Sequence, residues 1–198
     1  MHHDTKASSP APRYIGSLTV VTGSMFSGKT EELIRRVRRA LYARKRVQVF
    51  KHALETRSDP EEIRSHAGPR AYAVAVSSSA ELLSSVEPET DIVAVEETQF
   101  FDAGIVRALQ DLADAGYEVI ATGLDQNFRG EPFGPMADLL ALAEEVVKLR
   151  AICVHCGRDA SRTQRLIDGK PAPASSPTIL VGAAEHYEAR CRLHHEVG

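Results

Sequence analysis

Eight consecutive residues carry the most specific chemistry in this chain: Gly23, Ser24, Met25, Phe26, Ser27, Gly28, Lys29 and Thr30. They spell G-x-x-x-x-G-K-[ST], a loop whose glycines let successive backbone N–H groups face a phosphate. Lys29 is long enough to reach β- and γ-phosphate oxygens, and the Thr30 hydroxyl suits Mg2+. An apolar run precedes the loop and a helical pattern follows it, so a helix N-terminus adds its dipole to the phosphate site. Such a loop holds a nucleotide without saying what the phosphate is used for. The chain has no N-K-x-D base-reading motif, which sets a switch GTPase aside.

A second group of acids narrows the choice. The stretch DIVAVEETQFF, residues 91–101, reads as a buried strand ending in Glu96 and Glu97. Ligands of open α/β sheets bind at the C-terminal edge of the strands, where these carboxylates would lie. Glu96 takes the position of a metal-associated acid, one methylene longer than the usual Asp. Glu97 is the candidate base, placed to accept a proton from an attacking hydroxyl or to orient a water.

The three cysteines form a third group. Cys153 and Cys156 are spaced C-x-x-C, and Cys191 and His194 repeat that spacing. Two such pairs supply four ligands to tetrahedral Zn2+, a closed set and therefore a structural rather than a catalytic site. His155 and His195 are rivals to His194, which alone keeps the knuckle spacing.

Phe100, Phe101, Phe128 and Phe133 lie in loops after strand-like runs, where they either pack the core or wall a pocket for a flat ring. The segment from Leu166 to Tyr187 reads as long and irregular, and loops of that length serve as lids or stay disordered. A lid that excludes water suits a kinase, because it protects ATP from hydrolysis. The basic run RRVRRALYARKR, residues 35–46, reads as a solvated or subunit-facing helix side rather than a nucleic-acid patch, since the formal net charge is -3.

The elements that position these groups alternate strand and helix. Strands are expected at 17–23, 46–51, 71–76, 91–96 and 117–123. Helices are expected from Thr30 to about Lys45, with Leu33, Val37 and Leu41 inward, and over 79–86 and 105–115. One further helix and strand lead to Cys153. Residues 52–70 read as a mobile polar loop. The alternation predicts an α/β fold, a P-loop NTPase-type parallel sheet with helices on both faces. Residues 1–15 read as a disordered leader, 16–150 as the nucleotide-binding domain and 151–198 as a zinc-binding lobe with a substrate lid. The chain of 198 residues, 43% hydrophobic and 26% charged, has a globular balance. It shows no bilayer-length apolar run and no secretory signal, so a cytoplasmic protein without nucleic-acid or membrane partners is expected.

These motifs in this order resemble the type II, zinc-containing thymidine kinase family. The resemblance rests on GSMFSGKTEEL (23–33), ETR (55–57), EETQFF (96–101), LDQNFRGEPFG (124–134), VVKLRAICVHCG (146–157) and YEARCRLH (187–194), and spans about residues 16 to 195. It implies transfer of the γ-phosphoryl group of ATP to the 5′-hydroxyl of thymidine with Mg2+, with Glu97 as base. It implies nucleotide contacts through Gly23 to Thr30, through Glu55, Thr56 and Arg57, and through Glu96, Thr98 and Gln99. It implies a thymine pocket of Met25, Phe100, Leu124, Phe128, Phe133, Thr163 and Tyr187. Backbone of Thr178, Ile179, Leu180, Val181 and Gly182 would read the pyrimidine edge, within a lasso-like lid anchored by the zinc knuckles. A homotetramer and feedback inhibition by dTTP also follow from the resemblance.

Three departures stand out. Glu96 and Glu55 replace the family's usual aspartates, Gly182-Ala183 replaces Gly-Gly, and His194 replaces a cysteine ligand. Two other readings compete: a kinase for another deoxynucleoside such as deoxycytidine, and a nucleic-acid-dependent ATPase with a zinc ribbon. The mixed charge of residues 151–198 weighs against the second.

Overall fold

The computed structural model describes residues 15–54, 62–64, 70–179 and 186–198. In chain order its first half contains β1 (Ser17–Thr22), α1 (Lys29–Tyr42), β2 (Val47–His52), β3 (Glu62–Arg64), β4 (Arg70–Tyr72), β5 (Val74–Val76), α2 (Ser79–Ser85) and β6 (Ile92–Glu96). A single 3-10 turn, Thr98–Phe100, leads into α3 (Gly104–Asp114), β7 (Glu118–Gly123), α4 (Met136–Leu142) and β8 (Glu145–Lys148). The C-terminal part adds β9 (Ala151–Ile152), β10 (Asp159–Ala160), β11 (Arg162–Ile167), β12 (Lys170–Pro171) and β13 (His186–Arg190). No helix among the described residues is long and apolar enough to cross a membrane.

Six strands form one sheet in the order β5-β2-β6-β7-β1-β8, and every pairing is parallel. The fold is α/β, as the alternation predicts. Strands buried on both faces read as continuous apolar runs, and β6 (IVAVE) is buried at every position. Its alternate residues divide between two cores. Ile92 and Ala94 meet Leu33, Ile34, Val37 and Ala40 of α1, while Val93 and Val95 meet Ile105, Leu109 and Leu112 of α3. Two glycines in left-handed conformations open the loop between β1 and α1: Gly23 at φ 149° and Gly28 at φ 88°. A side chain at Gly23 would run into the Leu149 carbonyl, so the loop geometry requires glycine there.

The C-terminal part forms a β9–β10 hairpin and a β12-β11-β13 antiparallel sheet. The apolar cluster beneath the hairpin consists of Ala151, Cys153, Ala160 and Ala189, with Cys191 packed against it. Side chains this small give little hydrophobic stabilisation.

Several expectations need correction. Residues 52–70 are not simply a loop: β3 pairs antiparallel with β4. Strands of three residues each are too short to leave an apolar periodicity to read. The single strand expected at 71–76 is two, because the chain leaves the β3–β4 hairpin and joins β2 through β5 within one residue. The irregular stretch from Leu166 is shorter than expected, since β11 runs to Ile167 and β12 returns beside it. Leu41 is 55% exposed, and Ala40 turns inward instead. Steps of four residues advance 40° beyond a full turn, so Leu41 has rotated about 80° from Leu33. The expected leader falls almost entirely outside the described residues.

Candidate active site and metal centre

The phosphate loop and the acidic strand end meet at the C-terminal edge of the sheet. The Thr30 hydroxyl donates to Glu96 Oε1 at 2.6 Å, across the intervening β7. Glu96 is only 5% exposed. This joins the two groups that the sequence reading assigned to a magnesium ion, a donor set suited to a hard cation. Lys29 Nζ donates to the Ser24 carbonyl at 2.9 Å, which folds the lysine over the loop. The Ser24 and Ser27 hydroxyl oxygens are buried and have no hydrogen-bond partner among the described residues. Unsatisfied buried polar atoms are costly, and a bound phosphate would satisfy them.

Glu97 leaves β6 in a left-handed conformation, φ 53° and ψ 42°. Non-glycine residues seldom occupy that region except where the surroundings impose it, as at functional sites. The backbone turns out of the strand at this residue, and Gln99 Nε2 donates to Glu97 Oε2. Gln99 is itself oriented by the Leu124 amide, which donates to Gln99 Oε1 at 3.0 Å. Thr98 is buried, its hydroxyl donating to the Val95 carbonyl at 3.3 Å.

The pocket residues named in the sequence reading fall into connected groups. The Met25 amide donates to Thr163 Oγ1 at 3.0 Å, tying the phosphate loop to β11. Phe100 and Phe133 pack edge to face with ring centroids 5.8 Å apart, and His52 stands edge-on to Phe100 and Phe101. Burial pushes the His52 pKa down, and its Nδ1 accepts the Leu54 amide, the role of a neutral ring. Phe128 lies under the guanidinium of Arg165, which also bonds Tyr187 and the carbonyl of Thr178. Ile179 is 40% exposed. Glu55, Thr56, Arg57, Leu180, Val181 and Gly182 lie outside the described residues.

Cys153, Cys156, Cys191 and His194 converge, with all ligand atoms within 4.8 Å of one another. Tetrahedral Zn2+ with Zn–S of about 2.3 Å and Zn–N of about 2.0 Å separates two sulfurs by about 3.8 Å and sulfur from nitrogen by about 3.5 Å. The observed separations are 3.8 Å for Cys156–Cys191, 3.6 Å for Cys153–His194 and 3.3 Å for Cys191–His194. The set therefore fits zinc. Burial raises the Cys153 thiol pKa, but backbone N–H groups of Cys191 and His155 and the His194 ring outweigh it and hold the thiol at about 5. A thiol held that low is ready to ligate as thiolate. The rivals have other roles: His155 stacks on His194, and His195 Nε2 donates to the Phe128 carbonyl at 2.8 Å.

Three residues escaped the sequence reading. Arg129 and Arg165 hold the segment that follows β12, and the fully buried Lys51 stands in register with Glu96 on the neighbouring strand. In β11 the signal was available, since Arg165 is two residues from Thr163 and so shares its face. Lys51 lies next to the last residue of β2, at the ligand-binding edge, an unusual place for a fully buried lysine with no role there.

Compared with known families, residues 16–195 match the family model described as thymidine kinase.

Proposed function

Because the chain belongs to the thymidine kinase family, and is on that ground an ATP-dependent kinase, we propose that it transfers the γ-phosphoryl group of ATP to the 5′-hydroxyl of thymidine, giving dTMP and ADP. The observation that carries the reading is Glu97. Its carboxylate sits on a left-handed residue just past the central strand, is oriented by Gln99, and is next in sequence to the acid that Thr30 holds.

In this reading, N–H groups of residues 23–30 and Lys29 hold the β- and γ-phosphates and stabilise charge as it moves toward the leaving oxygen. Thr30 and Glu96 would hold Mg2+, which neutralises phosphate charge when bound. Glu97 accepts the 5′-hydroxyl proton while that oxygen bonds to the γ-phosphorus, and the bond to the bridging oxygen breaks to release ADP. Met25, Phe100, Leu124, Phe128, Phe133, Thr163 and Tyr187 would enclose the base, with backbone from Thr178 to Gly182 reading its edge. Fixed backbone groups suit that task because they cannot swing aside. Cys153, Cys156, Cys191 and His194 would hold a structural Zn2+. Residues 16–150 would form the nucleotide-binding domain and 151–198 the lobe that carries the lid. Homotetramer assembly, dTTP inhibition at the active site and a cytoplasmic role in DNA-precursor salvage belong to the same proposal.

The test is ATP-dependent phosphorylation of thymidine and deoxycytidine side by side with Mg2+, plus a DNA-stimulated ATPase control. Turnover of thymidine in strong preference supports the reading. Turnover of deoxycytidine alone overturns the acceptor, and DNA-stimulated hydrolysis without nucleoside turnover overturns the kinase chemistry.

A further inference from the structure

Phe128, 4% exposed, is in contact with two guanidinium groups: the Arg165 carbon is 4.4 Å from its ring centroid and the Arg129 carbon 4.8 Å. Arg165 is 2% exposed, so its charge has left water and needs oxygen partners. Its Nη1 and Nη2 donate to the carbonyls of Pro177 and Thr178, and Nε donates to the Tyr187 hydroxyl at 3.0 Å. Arg129 donates to the carbonyls of Ala174 and Ser176 and to Thr178 Oγ1 at 2.6 Å. Both arginines therefore grip the same segment, residues 174–178, and both lie against one aromatic ring. The segment is closed at its start as well, where the Ala172 amide donates to the Arg165 carbonyl at 3.1 Å.

We propose that Arg165, assisted by Arg129, is a positioning residue that clips segment 174–178 to Phe128 and Tyr187 and so presets the acceptor pocket before the nucleoside arrives. The proposal rests on the reading of Phe128 and Tyr187 as pocket walls. The physical argument is preorganisation. A wall held by a buried fork of hydrogen bonds and by cation–π contacts is not ordered at the expense of the nucleoside's binding energy. A single ammonium cannot reproduce a fork that reaches two carbonyls and a phenol together. Neither arginine touches residues 23–30 in any hydrogen bond described above, so the ATP side is expected to be independent.

The test uses the full-length, zinc-loaded protein with Arg165→Met, Arg165→Lys and Arg129→Met. Steady-state kinetics with thymidine and ATP are combined with hydrogen exchange at residues 172–179 without substrate. The clip predicts that Arg165→Met raises the thymidine KM about tenfold or more, leaves the ATP KM within about twofold, retains zinc and speeds exchange at 172–179. Arg165→Lys is predicted to recover little, and Arg129→Met to act in the same direction but less. Should Arg165→Met not fold, Arg129→Met carries the same readings. Unchanged exchange at 172–179, equal rises in both KM values, or full rescue by lysine overturns the clip. Failure of the parent protein to phosphorylate thymidine overturns the functional reading instead, while faster exchange in the variants still upholds the clip.

Discussion

Removal of the Zn2+ proposed for Cys153, Cys156, Cys191 and His194 is the perturbation whose outcome the structure constrains most tightly. The apolar support beneath the β9–β10 hairpin is three alanine methyls and a cysteine. At ~0.8 kcal/mol per methyl-sized group, this support amounts to about 3 kcal/mol. A structural Zn2+ in a four-ligand site contributes ~10–16 kcal/mol in small zinc-dependent folds, so the metal rather than the apolar cluster should dominate this region. Chelation should therefore release residues 151–160 and 186–198 while the parallel sheet survives on its own two cores. The loss should reach the active site through two contacts, Thr163 with the Met25 amide and His195 with the Phe128 carbonyl. The assay is hydrogen exchange followed by mass spectrometry, with metal content checked in parallel. Exchange in 151–160 should accelerate by about a hundredfold or more, a loss of about 2.7 kcal/mol of protection at 1.36 kcal/mol per decade. Protection in β1, β6 and β7 should persist. Verified metal-free protein with unchanged protection at 151–160 would refute the reasoning.

Three further perturbations test separate parts of the site. Glu97→Gln keeps the size and can still accept from Gln99, so ATP affinity should hold while kcat falls about 10²–10⁴-fold; a near-normal kcat removes Glu97 from the base role. Thr30→Val keeps the shape but deletes the 2.6 Å hydrogen bond to Glu96. A hydrogen bond to a charged group contributes ~1.5–3 kcal/mol, so kcat/KM with Mg2+ and ATP should drop at least about tenfold, measured across a magnesium titration. His52 has a folded-state pKa below its unfolded value because burial disfavours the charged ring. Its neutral form therefore adds stability that is present above pH ~6.5 and is lost as pH falls toward the lowered value. The melting temperature should decline on acidification from pH 7.5 to 5.5, and His52→Asn, which keeps an acceptor for the Leu54 amide, should flatten that decline; an unchanged slope would assign the pH dependence elsewhere.

The parallel sheet was legible because strand-like runs alternate with helical patterns and its central strand β6 is apolar up to Glu96, and the phosphate loop because glycine, lysine and threonine occupy fixed positions. The convergence of Cys153, Cys156, Cys191 and His194 was legible from spacing alone, since two knuckles of equal spacing leave few other uses for cysteine. What stayed hidden depends on pairing across distance. The β3 and β4 strands are three residues each, too short for an apolar alternation to be read. The outward turn of Leu41 follows from accumulated helical rotation, which a four-residue spacing conceals. The left-handed turn at Glu97 is a backbone fact that no glycine advertises. Arg129 and Arg165 look like ordinary surface charges in the sequence; only the fold shows that they share one phenylalanine and one segment.

The most direct test of the central claim is where the phosphate goes. With γ-labelled ATP, Mg2+ and thymidine, the account predicts stoichiometric label in thymidine 5′-monophosphate, and no labelled nucleoside when 5′-deoxythymidine replaces thymidine. Label released only as inorganic phosphate, or label carried equally by the analogue that lacks a 5′-hydroxyl, would contradict it.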